Sequence, residues 1–194
     1  MRKRFESMDG GPVKVFYLGG VPASGKTAIL RAVRAALMPS ASEFRHGLCR
    51  GVAQGAFASL GVFDGSTFEG TDRLSNCVID DALDWLDALG KQGRRVAVVA
   101  EGDRLFCERF LDRTSAEAYV VEAYARVLAR RRAVRSENGD GQSGCFLRSK
   151  RTKVENLRRK RGLRVLWNNT EADRDAIAGM ISSRAREWIE SQNT

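Results

Sequence analysis

The sequence predicts an α/β protein in which a five-stranded, mostly parallel sheet lies between two layers of helices, a three-layer sandwich. Short apolar runs alternate with amphipathic stretches, a pattern typical of strand–helix–strand units around a parallel sheet. The 194 residues are enough for one such domain with a core that needs no disulfides. No internal repeat or long low-complexity linker interrupts the pattern, so we expect a single domain over residues 1–194.

Five segments have the composition of strands. RVAVVA at 95–100 is the clearest buried run, and VKVFYL at 13–18 is the first in the chain. The segment at 118–124 is read as a strand, although it could instead begin the helix that follows. The five predicted strands are 13–18, a segment within 56–63, 95–100, 118–124 and 163–167.

Helices are predicted between and after these strands. The first carries Ile29, Val33 and Leu37 at a spacing of four, which places them on one face, and Pro39 ends it. A second helix ends at Gly90, and two more flank a Gly/Ser-rich loop at 137–144. Thr170 is a favourable N-cap for the last helix.

The charge is distributed unevenly. The formal net charge is +9, but residues 126–164 contain fourteen Lys or Arg and three acids, a local net charge of about +11. A basic segment of this kind suits polyphosphate or nucleic acid. The alternative is a solvated helix face with one or two functional arginines.

The remaining composition excludes several classes of protein. The four cysteines lie far apart without a CxxC pair, which argues against a zinc knuckle or a disulfide framework and fits a reducing cytoplasm. His46 is the only histidine, so a histidine-based triad is not expected. The basic N-terminus is followed by no apolar run of signal-peptide length, and no segment approaches a membrane span. We therefore expect a cytoplasmic protein.

The firmest motif is GGVPASGKT at 19–27, which meets the pattern G-x-x-x-x-G-K-[ST] directly after a strand and before a helix. Its glycines let backbone N–H groups point at a phosphate, aided by the helix N-terminus. Lys26 is expected to bridge the β- and γ-phosphates, and Thr27 to ligate Mg²⁺. The sequence does not distinguish ATP from GTP. The predicted nucleotide-binding residues are Gly20, Ala23, Ser24, Gly25, Lys26 and Thr27.

Two Asp-Arg pairs follow predicted strands. FEGTDRLS at 68–75 contains Asp72 and Arg73, and EGDRLF at 101–106 contains Asp103 and Arg104. A kinase needs one carboxylate to accept the acceptor's proton and another on the magnesium side, and arginines to steady the phosphoryl group. The alternative is that these aspartates are helix N-caps.

The two carboxylate roles have more than one candidate. We favour Asp72 as the base, with Asp64 as the other candidate and Asp103 also possible should Asp72 be dispensable. The acid on the magnesium side is either Glu101 or Asp103, at the end of the predicted strand at 95–100. We assign magnesium binding to Asp103, together with Thr27.

The basic segment at 126–162 is interpreted as a lid joined to a substrate clamp. Arg131, Arg132 and Arg135 are the expected lid arginines, which close over the phosphates and exclude water. The second half of the segment is more basic than a lid requires and could follow a phosphate backbone. Phe146 and Trp167 lie nearby, but no aromatic series indicates a stacking platform. The predicted DNA contacts are Arg148, Lys150, Arg151, Lys153, Arg158 and Arg159.

The strings GGVPASGKT, GTDRLS, EGDRLF and KRTKVENL together resemble bacteriophage P-loop kinases. These include kinases that phosphorylate 5-hydroxymethyluridine already incorporated in DNA. The resemblance runs over about 13–163, and GTDRLS and TKVEN are its more specific part. It implies a nucleotide-kinase-like fold, ATP and Mg²⁺ as cofactors, and a modified pyrimidine in DNA as the acceptor.

Two rival functions remain open at this stage. A kinase of free nucleotides or nucleosides needs the same site but not the basic segment. A nucleic-acid-stimulated ATPase would pass the phosphate to water, although the chain offers no second helicase core.

Overall fold

The computed structural model describes residues 11–65, 69–137 and 141–191. The basic N-terminus at 1–10, Phe68 of the FEGTDRLS segment and residues 138–140 of the Gly/Ser-rich loop lie outside the described residues.

The described residues contain seven strands and six α-helices. The first half of the chain contains β1 (Val13–Gly19), α1 (Lys26–Leu37), β2 (Ser42–His46), β3 (Cys49–Gln54), β4 (Phe57–Leu60) and α2 (Val78–Lys91). The second half contains β5 (Val96–Glu101), α3 (Glu108–Arg113), β6 (Glu117–Glu122), α4 (Ala125–Glu137), α5 (Gly144–Arg161), β7 (Arg164–Trp167) and α6 (Glu171–Glu190). A short 3₁₀ turn covers Thr71–Arg73.

The strands form one sheet in the order β2-β3-β4-β5-β1-β6-β7. The five predicted strands are β1, β4, β5, β6 and β7, and they pair parallel to one another. The predicted total of five is wrong, because β2 and β3 extend the sheet as antiparallel strands. The segment SEFRH of β2 is mostly exposed, so it lacks the apolar alternation that predicts a strand.

The predicted three layers are confirmed by the packing. Val13, Val15 and Tyr17 of β1 point to a core shared with α2, α3 and α5. Phe16 and Leu18 point to the other face, where α1 and α6 cover the sheet. This alternation is the ordinary period of two in a strand.

Helix boundaries follow local signals where those exist. Thr170 caps α6 as predicted, and Asp173 completes a reciprocal capping box with it. Helix α4 has no buried residue, and Val127 and Leu128 are its half-buried apolar side chains near its start. None of the described helices is long and apolar enough to cross a membrane.

The topology brings the predicted motifs to one edge of the sheet. The carboxyl ends of β1, β5, β6 and β7 lie side by side because these strands are parallel. The segment at 20–25 follows β1, Gly102 and Asp103 follow β5, and Asn168 follows β7. Ligands of such sheets bind at this edge.

Candidate active site

The segment between β1 and α1 is a curled loop that ends in the first turn of a helix. Gly25 precedes α1 with a φ of 92°, and a Cβ there would collide with the amide of Asn168. Ala23 also has a left-handed φ of 69°, a strained conformation for an alanine. Loop and helix together present the geometry of an anion site.

Lys26 lies against this loop and is only 9 % exposed. Its Nζ donates hydrogen bonds to the Gly20 carbonyl at 3.0 Å and to the Val21 carbonyl at 3.1 Å. These bonds hold the ammonium group beside the loop, where phosphate oxygens would be its natural acceptors.

Glu101 is the carboxylate that faces the loop. It is 1 % exposed, and its Oε1 accepts a hydrogen bond from Thr27 Oγ1 at 3.1 Å. Burial raises the pKa of Glu101 to about 7, although the nearby Lys26 charge opposes the shift. Gly70 has a φ of 77°, and a Cβ there would collide with Glu101 Oε1, so glycine leaves room for this carboxylate.

Asp103 faces a different neighbour. Its carboxylate forms ion pairs with Lys150 and, at 2.8 Å, with Lys153, both on α5. Lys153 also donates to the Asp103 carbonyl at 2.9 Å. Burial opposes ionisation, but the two lysines outweigh it and lower the pKa of Asp103. The geometry thus favours Glu101 over Asp103 for the magnesium side of the site.

The two segments that carry the Asp-Arg pairs, Asp72-Arg73 and Asp103-Arg104, are called here the two corners, and they are hydrogen-bonded to each other. Asp72 Oδ1 accepts a hydrogen bond from the Asp103 backbone N–H at 2.6 Å, and Arg104 donates to the Asp72 carbonyl at 3.3 Å. Arg73 instead pairs with Asp64 at 3.2 Å, which engages the other candidate base. Asp72 is exposed, so its carboxylate is accessible to solvent.

The buried Tyr17 contacts residues next to both corners, a role that the sequence did not indicate. Its hydroxyl lies 3.2 Å from Thr71 Oγ1 and 3.2 Å from the Gly102 carbonyl, to which it donates. Thr71 in turn donates to the Glu101 carbonyl at 2.8 Å. Burial raises the pKa of Tyr17 well above its usual value, so its hydroxyl stays protonated.

The three predicted lid arginines separate in space. Arg131 Nη1 donates to the carbonyls of Ser24 at 3.1 Å and Asn168 at 3.0 Å. The positive charge of Arg135 acts on Glu101 and partly opposes the rise in the Glu101 pKa that burial causes. Arg132 instead lines a different pocket together with Arg151 of α5, and both burial and the charge of Arg151 lower the pKa of Arg132.

Asn168 is a second residue that sequence reasoning missed. Its Nδ2 donates to the Ser24 carbonyl at 2.8 Å, across 144 positions of the chain. A pocket of about 470 Å³ opens beside it, between the start of α1, the basic face of α4 and the β7–α6 turn. This pocket adjoins the loop at Gly25, and its arginines and asparagines alternate with apolar side chains, a mixture that suits the nucleoside of a bound nucleotide.

The six predicted DNA contacts fall into three groups. Lys150 and Lys153 belong to the site through Asp103. Arg158 and Arg159 are both paired with Glu155, at 2.8 Å and 2.5 Å. Arg148 and Arg151 form no ion pair among the described residues, so their charges are available to a ligand.

The donor set fits a magnesium ion bound together with a nucleotide. Thr27 and Glu101 supply one hydroxyl and one carboxylate, and Mg²⁺ commonly takes few protein ligands alongside phosphate oxygens and water. Within the described residues no group of three or more His, Cys, Asp or Glu side chains could hold a metal by itself.

A solved unliganded sugar kinase from Janibacter sp. HTCC2649 has 15 % identity, with 92 % of this chain and 95 % of that chain covered. Its TM-score of 0.47 is too low for its acceptor to bear on this chain. No curated protein gave a significant match. The family model described as P-loop Nucleotide Kinase3 matches residues 12–166, well over half of the chain, and the protein therefore belongs to this family of phosphotransferases.

Proposed function

We propose that the protein is an ATP-dependent kinase that transfers the γ-phosphate to the hydroxymethyl group of 5-hydroxymethyluracil in DNA. The observation that carries the proposal is the contact of the basic helix α5 with Asp103, at the corner that follows β5. Lys150 and Lys153 bond to Asp103, and Asp72 bonds to the same residue. A polyanion held along α5 would thus reach the carboxylates at the ends of the strands.

On the donor side, Lys26 would contact the β- and γ-phosphates, while Thr27 and Glu101 would hold the magnesium ion. The ion, when bound, neutralises charge on the phosphate oxygens. Arg131 and Asn168 fix the loop through the Ser24 carbonyl, so its N–H groups are positioned before the nucleotide arrives.

On the acceptor side, Asp72 would accept the hydroxyl proton as the acceptor oxygen forms its bond to the γ-phosphorus. The bond from that phosphorus to the bridging β,γ-oxygen breaks, and ADP leaves with the electron pair. The hydrogen bond from the Asp103 amide orients the Asp72 carboxylate and leaves its second oxygen for the substrate.

The DNA part of the proposal depends on charge. Residues 126–164 carry about +11, in a chain of net charge +9. A kinase that acts on a base within a polymer must hold phosphates on both sides of its target, and in a duplex it must flip the target out of the stack. The cytoplasm of the cell that contains this DNA is the proposed location.

A second candidate is a kinase of free nucleotides, and one observation favours it. Arg158, Arg159, Lys160 and Arg161 all form ion pairs with acids of the chain itself, so the end of α5 offers less free charge than its sequence implies. The family description likewise refers to nucleotides.

Labelled γ-phosphate distinguishes the candidates. The protein is incubated with labelled ATP, Mg²⁺ and either an oligonucleotide that contains 5-hydroxymethyluracil or the free hydroxymethyldeoxyuridine monophosphate. Label in the oligonucleotide, and none when thymine replaces the modified base, supports the proposal. Label in the free nucleotide alone would reject DNA as the acceptor, and label only in inorganic phosphate would indicate an ATPase.

A further inference from the structure

Two exposed aromatic side chains lie together at the edge of the sheet. Tyr124 follows β6, Trp167 ends β7, and their ring centroids are 5.4 Å apart with a tilt of 38°. The residues are 53 % and 49 % exposed, although aromatic rings are usually buried. The β6–β7 register, which places Glu122 opposite Trp167, brings the rings together from positions 43 residues apart in the chain.

A groove of about 980 Å³ runs from this edge between α4 and α5. We call it the α4–α5 groove. Trp167 and the apolar side chains of Leu128, Leu147 and Val165 line one part of it, and Val21 of the phosphate loop lies on its wall. The groove therefore connects an aromatic surface with the loop that binds the nucleotide.

Three arginines line the same groove without a carboxylate partner among the described residues: Arg132, Arg148 and Arg151. Arg132 Nε is buried and makes no hydrogen bond. Its charge is close enough to that of Arg151 for the two to repel each other. Such a pair is unfavourable in the free protein, and an anion between the two guanidinium groups would relieve it.

The acids of the groove do not cancel these charges. Glu155 is committed to Arg158 and Arg159. Glu122 acts on Arg158, whose pKa it helps to raise. The net result is a concave surface with unpaired cations over an apolar and aromatic floor.

From these features we infer that the α4–α5 groove binds a single-stranded or locally unpaired segment of nucleic acid, with phosphates on Arg148, Arg151 and Arg132 and a base on Trp167. Cations along the backbone and aromatic rings under the bases are the two elements that single-strand recognition requires. An acidic protein would need the cations but not the aromatic face. The inference deepens the proposed function and rests on it for the identity of the strand as substrate DNA.

Fluorescence anisotropy of the full chain with a labelled oligothymidylate of about twelve nucleotides tests the groove directly. Arg148→Ala/Arg151→Ala should weaken binding about tenfold or more and flatten the salt dependence by about 1.4 in log–log slope, at about 0.7 per lost phosphate contact. Trp167→Ala should weaken binding about tenfold with the salt slope unchanged, because it removes stacking rather than charge.

Arg50→Ala is the matched control, since Arg50 is an exposed arginine of β3 near the opposite end of the sheet. It should bind the oligonucleotide like the original protein. Circular dichroism and binding of a fluorescent ATP analogue check that each variant is folded with an intact phosphate loop.

The results separate this inference from the proposed kinase activity. Oligonucleotide binding that falls in the groove variants supports the groove even if no DNA base is ever phosphorylated. Phosphorylated DNA together with unchanged binding in both groove variants would overturn the groove and leave the proposed function standing. Competition by thymidine monophosphate at the same nucleotide concentration as the oligomer would also overturn it, because the site would then recognise single nucleotides.

Discussion

The Asp72 carboxylate accepts a hydrogen bond of 2.6 Å from the backbone N–H of Asp103. One bond thus links the corner after the 3₁₀ turn to the corner after β5, across 31 positions of the chain. The bond uses one Asp72 oxygen and a backbone donor, so the Asp103 side chain is left to pair with Lys150 and Lys153. The two aspartates therefore have different environments, despite their similar sequence contexts.

Asp72→Asn should abolish most phosphoryl transfer while nucleotide binding is kept. The asparagine carbonyl can still accept from the Asp103 amide, so the corner keeps its shape, but an amide cannot take the acceptor's proton. We expect kcat to fall about 10²- to 10⁴-fold, the usual contribution of a general base.

The matched variant is Asp64→Asn, which removes the carboxylate paired with Arg73. It should change kcat only slightly. The opposite ranking of the two variants in a steady-state assay would transfer the role of base to Asp64.

Glu101→Gln and Asp103→Asn test which acid serves the magnesium side. Glu101 accepts from Thr27, whereas Asp103 is held by two lysines. We expect Glu101→Gln to lower kcat a hundredfold or more and to raise the magnesium concentration needed for half activity, since metal stabilisation contributes several kcal/mol. Asp103→Asn should leave the magnesium requirement unchanged. A magnesium titration of both variants decides the matter, and the reverse pattern would restore Asp103 to this role.

Arg131→Ala should weaken ATP binding by about tenfold. The variant loses hydrogen bonds to the carbonyls of Ser24 and Asn168, each of about 1 kcal/mol, so the phosphate loop loses part of its support. Isothermal titration with an ATP analogue measures the change. Arg126→Ala, an exposed arginine of the same helix, is the control and should bind normally. Equal affinities in both variants would show that the contact is dispensable.

Glu117→Gln should destabilise the fold in a pH-dependent way. Burial opposes ionisation of Glu117, but hydrogen bonds from Arg184 and Tyr119 outweigh it and lower its pKa. A carboxyl group with a lowered folded-state pKa contributes stability above its unfolded pKa, here about 4.5, and loses it as the pH falls through the folded value. Because Arg184 is half exposed, we expect only about 1 kcal/mol at neutral pH.

Urea denaturation at pH 7 and below pH 4 measures this dependence. The difference between the original protein and Glu117→Gln should be present at pH 7 and shrink in acid. The exposed Asp84→Asn of α2 is the control, with little effect at either pH. A constant difference at both pH values would show that ionisation of Glu117 is not its source.

The sequence predicted those features that are carried by contiguous residues. The phosphate loop is one run between a strand and a helix, and the five parallel strands are short apolar runs, so both are recognisable locally. The β2–β3 hairpin was missed because its first strand is mostly exposed, so the sheet has seven strands rather than five.

Features that depend on distant contacts were not predictable. Glu101 and Asp103 are two residues apart, and only the folded chain separates them, since Lys150 and Lys153 reach Asp103 from about fifty positions away. The same limit applies to Asn168, which donates to the phosphate loop, and to Tyr17, whose hydroxyl donates to the Gly102 carbonyl. No aromatic series was expected around Trp167, because its partner Tyr124 is adjacent only through the β6–β7 register.

The most direct test of the proposed kinase is mass spectrometry of the nucleosides released from treated DNA. DNA that contains 5-hydroxymethyluracil is incubated with the protein, ATP and Mg²⁺. It is then digested to nucleosides under conditions that leave a phosphate group on the base intact. We predict a hydroxymethyldeoxyuridine heavier by one phosphoryl group, absent from thymine DNA and from reactions with Asp72→Asn. Unmodified hydroxymethyldeoxyuridine in the DNA, alongside conversion of the free monophosphate under the same conditions, would contradict the proposal.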